Sequence, residues 1–397
     1  AWSAVCVNGL SIVDTGTYWS GFGQAVILAL IQVGGFGMST SATLGVLWAG
    51  GAMRLRSRLL LQAETRSMSL ADARSVAKLI FIVTVCVELG VAAFLTLRFW
   101  LGYGMPLGTA AWKGLFHAVS GYCNAGFGLW SDSLSQFVRD PFVLLPTAAA
   151  IMIGGLGFPV IHELWVHRGS RKHHYSMHTV LSLWGTVILL SLGTALLLLF
   201  EWNNVRTLAP LAVPEKLLAS FFTSVAARSV GFNALDTAGM SNDALLLQIF
   251  LMFVGAGSAG TGGGVKVTTF FILLVAVWCE VRGHADTHFN GRRVPPAALR
   301  QALTILVLSS GVIVLGLFIV MPMADASYER VLFEVVSAGG NVGLSTGLVG
   351  ELPKPAQFVL MLLMFSGRVG IVTLAVALAA RSHRLMVRYP EEKPLVG

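Results

Sequence analysis

Four stretches of this chain end alike: "SAVCVNGLSIVDTG" (3–16), "HAVSGYCNAGFGLWSD" (117–132), "TSVAARSVGFNALDT" (223–237) and "EVVSAGGNVGLSTG" (334–347). Each closes an apolar, helix-like run too short to cross a ~30 Å hydrocarbon layer. An extended tripeptide with a glycine follows, then a large apolar residue and a polar turn. The aligned glycines are Gly9, Gly126, Gly231 and Gly343. A full apolar span comes next in every copy, with its own glycine cluster: "VGGFG", "IGGLG", "VGAGSAG" and "FSGRVG". From the aligned glycine to Gly34, Gly154, Gly255 and Gly367 is 25, 28, 24 and 24 residues. Four copies at near-constant spacing make a repeat architecture. The unit reads as an outer span, a half-span helix, an extended loop and an inward-going span.

The solvent for this architecture is set by composition. The chain is 55% hydrophobic and 12% charged, against ~25% charged in soluble domains. Apolar spans cover roughly 23–49, 76–100, 142–161, 178–200, 244–279, 299–322 and 357–380. The fold class expected is an all-α polytopic membrane protein. The alternating ten-residue segments of a membrane barrel are lacking. Cys6, Cys86, Cys123 and Cys279 have no CxxC spacing and read as small buried residues without disulfides.

The net charge of +8 is no sign of nucleic acid, because the charge is sided. Seventeen of the 27 Lys and Arg residues fall in 51–78, 162–178, 281–300 and 381–397. Asp14, Asp132, Asp140, Glu201, Glu215, Asp236, Asp243, Asp325, Glu329, Glu334 and Glu351 occupy the other connections. The positive-inside rule puts the basic loops and the C-terminus in the cytoplasm. The acidic mouth faces out, where it concentrates cations.

That topology brings all four loops in from the outer side. Irregular backbone at membrane depth is tolerated only where it is buried in protein or lines a path. Four extended loops around one axis make a ring of carbonyls that can replace an ion's hydration shell. Glycine permits the close approach, and the half-span helices aim their negative ends at a cation. Close helix packing, as in GxxxG, stays open as a second use of the "GG" clusters.

The third inner span is some 36 residues long, 244 to 279, and six of residues 255–264 are glycine. At ~1 kcal/mol per glycine an unbroken helix is unfavourable. A broken helix with a loop under the ring is expected, with Ser258, Thr261, Thr268 and Thr269 lending it polarity. Lys266 and Arg368 are intramembrane cations, costly and usually functional, though Lys266 also suits the capping of freed carbonyls. Arg228 is expected to brace the third loop against Glu334 or Asp236, and Glu88 to pair with a neighbouring helix.

Other motifs fail on context. "GAGSAG" fits GxGxxG but has apolar helices on both sides instead of a βαβ unit, and "GTGGGVK" lacks the glycine before lysine of a P-loop. "HELWVH" spaces its histidines five apart, on different helix faces. "RKHHYSMH" (171–178) reads as a solvated loop. No Ser/His/Asp set appears, so no enzyme activity is expected.

At "VNGLSIVDTGT", "FHAVSGYCNAGF", "VAARSVGFNALD", "FVGAGSAGTGGGVKVTTF", "NVGLSTGL", "FSGRVGIVTL" and "RYPEE" the chain resembles the Trk/Ktr/HKT superfamily of K⁺ transporters, closest to the KtrB membrane subunit. The resemblance implies four pseudo-symmetric M1–P–M2 repeats around one pore. They are expected at 1–50, 51–168, 169–283 and 284–397, with the first M1 helix absent from the chain as given, which reads as trimming.

The resemblance also implies a selectivity filter of Val7, Asn8, Gly9; Asn124, Ala125, Gly126; Ser229, Val230, Gly231; and Asn341, Val342, Gly343. K⁺ is the transported ion, bound by the backbone carbonyls. Na⁺ is a candidate activator, and there is no organic cofactor. In plant relatives a serine at the first filter glycine goes with Na⁺ preference, so Gly9 implies K⁺. The gate implied is the loop of Gly257, Ser258, Gly260, Thr261, Gly262, Gly263 and Gly264 with Lys266, and Arg368 as an electrostatic barrier below the filter. The partners implied are a second copy in a homodimer, a cytoplasmic nucleotide-binding ring of KtrA/TrkA type, and the lipid of a plasma (inner) membrane. A secondary transporter with a broken-helix midplane site is the alternative, set against by the number of repeats. A membrane scaffold would leave the loops unexplained.

Overall fold

The computed structural model describes residues 1–37, 73–168 and 175–370. Most of the basic loop 51–78, the stretch 169–174 and the tail from 371 onward lie outside the described residues, and so do the expectations placed on their arginines and on "RYPEE". The described chain is helical apart from one small hairpin, and it follows the repeat.

The first repeat contains α1 (Trp2–Cys6), α2 (Thr15–Tyr18) and α3 (Gly21–Phe36). The second has an outer helix α4 (Ala73–Leu97), prolonged by a π-helical turn (Arg98–Gly102), then a short α5 (Leu107–Tyr122), α6 (Pro141–Leu156) and α7 (Phe158–Val166). The third runs α8 (Met177–Glu201), α9 (Val213–Ala227), α10 (Asn242–Phe253) and α11 (Val267–Val281). An antiparallel hairpin, β1 (His288–Phe289) with β2 (Arg292–Arg293), leads to the fourth: α12 (Pro296–Val320), α13 (Tyr328–Gly340) and α14 (Lys354–Val369).

Among the described residues three helices are long and apolar enough to cross a membrane: Lys78–Gly102, Met177–Glu201 and Pro296–Met323. These are the outer spans. They leave Leu101, Trp184, Leu199 and Phe318 exposed, a surface suited to hydrocarbon, where every backbone group is bonded within the helix. The short helices are the opposite. On α9, Ala219, Phe222, Ala226 and Ala227 are fully buried, as are Phe333, Val335 and Ala338 on α13.

The inner helices start from side-chain caps and stop at their glycine clusters. Ser20, Asp140 and Ser241 each accept a bond from a first-turn amide of α3, α6 and α10, replacing a partner the helix cannot supply. The stops differ from the sequence reading, which broke only the third span. Three inner helices end two residues past the cluster glycines Gly34, Gly154 and Gly367, at Phe36, Leu156 and Val369, and that of the third repeat ends two residues before Gly255, at Phe253. Gly37 (φ 80°), Gly157 (φ 96°) and Gly370 (φ 86°) terminate three of them. Span 142–161 is thus two helices, bent by 96° between α6 and α7. The reason is local: the last glycine of these three clusters takes a positive φ that residues with a Cβ rarely adopt.

Buried acids tie these units together outside the ring. Glu201, at the end of α8, accepts from Asn204 Nδ2 (2.8 Å), Ser241 N (2.8 Å), Ser241 Oγ (2.6 Å) and Thr207 Oγ1. It therefore locks an outer helix to the cap of the next inner one. Asp140, capping α6, also takes Arg98 Nε at 2.8 Å and the Tyr103 hydroxyl at 2.9 Å.

Candidate functional site

The four tripeptide loops meet and close a ring. A side chain starting on Gly9 would lie 2.7 Å from Ala125 O; on Gly126, 1.9 Å from Val230 O; on Gly231, 2.4 Å from Val342 O; on Gly343, 1.9 Å from Asn8 O. The first loop leans on the second, the second on the third, the third on the fourth and the fourth on the first. All four glycines have positive φ, between 71° and 100°. No residue with a Cβ fits such an approach to backbone.

Three of the short helices end in the same way. Val7, Asn124 and Asn341 take φ of 56°, 58° and 51°. Their amides and the next ones bond back to the helix: Asn8 N to Ser3 O at 2.9 Å, Ala125 N to Ser120 O at 2.8 Å, Val342 N to Ser337 O at 3.0 Å. This is the left-handed helix terminus usually given to glycine or asparagine. At the β-branched Val7 it is a genuine outlier, of the kind found at functional sites. The third helix differs: Ser229, the equivalent residue, does not take a positive φ.

The carbonyls of the twelve tripeptide residues are the chemical feature. Among the described residues none of these carbonyls accepts a hydrogen bond, although nine of the twelve residues are buried and the other three half-buried. Buried carbonyls in folded proteins are nearly all paired. A ring of unpaired ones is suited to a dehydrated cation, which satisfies several oxygens at once.

Side chains hold the loops from behind. Asn8 Nδ2 reaches Asn341 Oδ1 (3.1 Å) and Ser337 O (3.2 Å), and Asn341 Nδ2 reaches Met364 O (2.9 Å). Ser3 Oγ accepts from Gly9 N and Ser337 Oγ from Gly343 N, at 3.1 and 3.0 Å. Nine residues before the ring glycine, His117 and Glu334 hold equivalent posts. His117 Nε2 accepts from Leu129 N (3.3 Å), and Glu334 Oε1 from Thr346 N (2.8 Å), drawing the outgoing leg of each loop back to its helix. Sequence reasoning missed these supports. The serine six residues before the glycine, in "SAVCVNG", "SGYCNAG" and "SAGGNVG", was the signal available.

Residues 254–266 form the loop expected between α10 and α11, and it is folded instead of slack. It is stitched to the end of α6: Gly257 N to Gly155 O (2.8 Å), Thr261 N to Gly154 O (3.1 Å) and, in return, Phe158 N to Ala259 O (3.2 Å). Thr261 Oγ1 accepts from Asn124 Nδ2 (2.7 Å) and donates to Tyr122 O (3.1 Å), directly behind the second ring loop. Ser258 Oγ and Thr268 Oγ1 lie 2.7 Å apart. The glycines serve contact. A side chain on Gly257 would strike Leu156 O at 2.4 Å, and one on Gly263 would strike Asn341 Cβ at 2.5 Å. Gly260, Gly262 and Gly264 lie within the same fold of chain.

The inner-helix glycines reveal how this loop joins the ring. Gly34 packs on Val5 O, Gly154 on Tyr122 O and Gly367 on Gly339 O, each the carbonyl two residues before its own tripeptide. Gly255 packs on Gly263 O, in the loop.

Both intramembrane cations belong to this assembly. Lys266 Nζ donates to Gly262 O at 2.5 Å, the carbonyl-capping reading. Arg368 spans further: Nη1 donates to Thr261 O (2.5 Å) and Nη2 to Gly34 O, linking the fourth inner helix to the loop and to the first inner helix. Arg228 corrects an expectation. It bonds Thr186 Oγ1 and Gly255 O, both at 3.4 Å, while Asp236 pairs with Arg206 and Glu334 with Ser345 and Thr346. Among the described residues neither acid forms an ion pair with Arg228. Glu88 does pair across helices, accepting from Gln32 Nε2 at 3.2 Å. The four cysteines are free, and Cys86 is exposed, not buried as expected.

Residues 1–386 match the family model of TrkH, described as a cation transport protein. The chain is 36% identical over its whole length to "Ktr system potassium uptake protein B" of Bacillus subtilis, covering 88% of that protein. It is 36% identical to the protein of the same name from Vibrio alginolyticus, covering 87%. It is 34% identical to "Potassium/sodium uptake protein NtpJ" of Enterococcus hirae, covering 88%. Among solved structures, the potassium transporter TrkH of Vibrio parahaemolyticus superposes with a TM-score of 0.72 at 19% identity, over 95% of this chain and 76% of that one.

Proposed function

The chain belongs to the TrkH cation transport protein family, a family of transporters and not of enzymes, and from that premise we propose that it takes up K⁺ across the plasma membrane through the four-loop ring. The observation that carries this is the closed ring of unpaired carbonyls. The path begins at the acidic outer mouth, which draws cations in. A K⁺ ion sheds water and is held by the carbonyls of Val7–Gly9, Asn124–Gly126, Ser229–Gly231 and Asn341–Gly343. The short helices direct the negative ends of their dipoles toward it.

Below the ring, the loop from Gly257 to Lys266 obstructs the way and Arg368 adds a positive barrier. Opening requires the loop to leave its partners on α6 and Arg368 to release Thr261. The named contacts support this reading because each is one weak bond, together several kcal/mol at ~1 kcal/mol each, within reach of a binding partner. The four repeats occupy 1–50, 51–168, 169–283 and 284–397. A second copy and a cytoplasmic nucleotide-binding ring complete the assembly, the ring seated on the basic loops. Na⁺ acts as an activator; the name of the Enterococcus relative joins sodium to potassium as an ion taken up.

The test is growth. The full-length protein, expressed with its regulator, rescues cells lacking K⁺ uptake systems at limiting K⁺. Failure of a well-expressed protein sinks the reading. Deletion of residues 260–264 raises K⁺ flux, and unchanged transport in that deletion removes the loop from the mechanism.

A further inference from the structure

At the end of α11 remote from the loop, three side chains that the ion path does not use come together. Cys279 Sγ and one ring nitrogen each of His284 and His288 all lie within 4.8 Å of one another. Cys279 is buried; the two histidines are exposed. We propose that Cys279, His284 and His288 form a binding site for a soft divalent metal of the zinc class, which goes beyond the K⁺ path.

Two preformed turns build the cluster. Gly283 (φ 69°) ends α11 in the left-handed conformation, with His284 N bonded back to Cys279 O at 3.0 Å. That turn folds His284 over Cys279. Asn290 (φ 50°) and Gly291 (φ 71°) then make the two-residue turn of the β1–β2 hairpin, the Asn-Gly signature of a tight hairpin. The hairpin is clamped by Val294 N to Thr287 O (2.8 Å) and by the Arg293–Asp286 pair (2.6 Å). It brings His288 to the same place, with Cys279 Sγ 3.7 Å from His288 O. The geometry therefore exists before any metal arrives.

The donor set selects the metal. One thiolate and two imidazoles are soft to borderline ligands, and the trio offers none of the oxygen ligands that hard cations such as K⁺, Mg²⁺ or Ca²⁺ take. His288 Nδ1 lies 3.1 Å from Asp286 O. This outer contact fixes the ring proton on Nδ1 and leaves Nε2 as the ligand, the arrangement that orients metal-bound histidines. Ligand atoms on one zinc are roughly 3.4–3.7 Å apart, from bond lengths of ~2.0–2.3 Å. Closing from 4.8 Å takes a small rotation of exposed rings. Three protein ligands leave the fourth position to water. Binding releases the thiol proton to solvent, so affinity falls as pH is lowered.

The experiment is a Co²⁺ titration of the purified, tag-free full-length protein in detergent with its thiols reduced. One equivalent binds, with a thiolate-to-cobalt charge-transfer band that Zn²⁺ displaces. Cys279→Ser abolishes the band. His284→Gln and His288→Gln, both at exposed positions that do not endanger folding, weaken binding by ~10-fold or more. The proposal is overturned if the wild-type protein gives no such band. It is overturned equally if the band survives Cys279→Ser, which would put the metal on another cysteine, or if both histidine variants bind as tightly as the parent.

Discussion

Substituting alanine at each ring glycine in turn tests whether the four loops work as one interlocked ring. Every such variant asks an L-residue to sit at positive φ, at about 1–2 kcal/mol. The second cost differs by position. At Gly126 and Gly343 the new Cβ would lie 1.9 Å from a neighbouring carbonyl oxygen, at Gly231 2.4 Å, at Gly9 2.7 Å. Ordinary contact begins above 3 Å, so the neighbour must retreat by about 1 Å in the first two and by a few tenths at Gly9. Overpacking of that kind costs about 1–3 kcal/mol where the obstacle is backbone. Gly126→Ala and Gly343→Ala therefore carry about 2–5 kcal/mol, borne by the carbonyls that face the ion. With tenfold per ~1.4 kcal/mol, uptake at limiting K⁺ falls by ~30-fold or more in these two and by ~5- to 30-fold in Gly9→Ala, with Gly231→Ala between. The assay is Rb⁺ tracer uptake with Na⁺ competition, normalised to protein that elutes as a single species in detergent. Well-folded Gly126→Ala and Gly343→Ala proteins with parental uptake and parental preference for K⁺ over Na⁺ would refute the interlock. So would an order with Gly9→Ala as the most damaging.

Thr261→Val keeps the shape of the side chain but removes its bonds to Asn124 and Tyr122 O, about 1 kcal/mol each; Rb⁺ flux without the regulator should rise several-fold, and a fall would speak against the loop as an obstruction. Arg368→Gln frees Thr261 O and Gly34 O from the guanidinium and lifts the positive barrier, so maximal uptake should increase; an unchanged rate would make Arg368 a mere brace. Glu201→Gln presents an amide to donors that a carboxylate now accepts, at a cost of about 2–3 kcal/mol. Its unfolding midpoint in detergent should drop, and an unmoved midpoint would show that the carboxylate does not hold α8 to α10.

The architecture was legible because the repeat carries its own arithmetic: a ring glycine, then an inner-helix glycine some 25 residues on. Both sets of glycines make backbone contacts that recur in three or four copies, so spacing alone reveals them. The break in the third inner span was legible for a different reason, since no helix tolerates six glycines in ten residues. The breaks at Gly37, Gly157 and Gly370 were not. One glycine in an apolar run costs a helix ~1 kcal/mol and is often absorbed, and the approach of Ser258 O to Gly157, which leaves no room for a Cβ, comes from a segment a hundred residues away. Arg228 shows the same limit. Its charge suggested an acid, but its partners are a hydroxyl and a carbonyl from α8 and the loop, a choice made by tertiary packing. The loop itself was expected because its glycines disfavour a helix. Its bonds to α6 show glycine used for tight approach.

Three quarters of the ring stand on fixed ground, because Gly34, Gly154 and Gly367 each press on the terminus of their own short helix. The third quarter stands on the loop 254–266, since Gly255 presses on Gly263 O and Arg228 is tied to Gly255 O. Under the gating proposed above, moving that loop would also withdraw the floor beneath Ser229 and Val230. Throughput and fidelity would then share a single hinge.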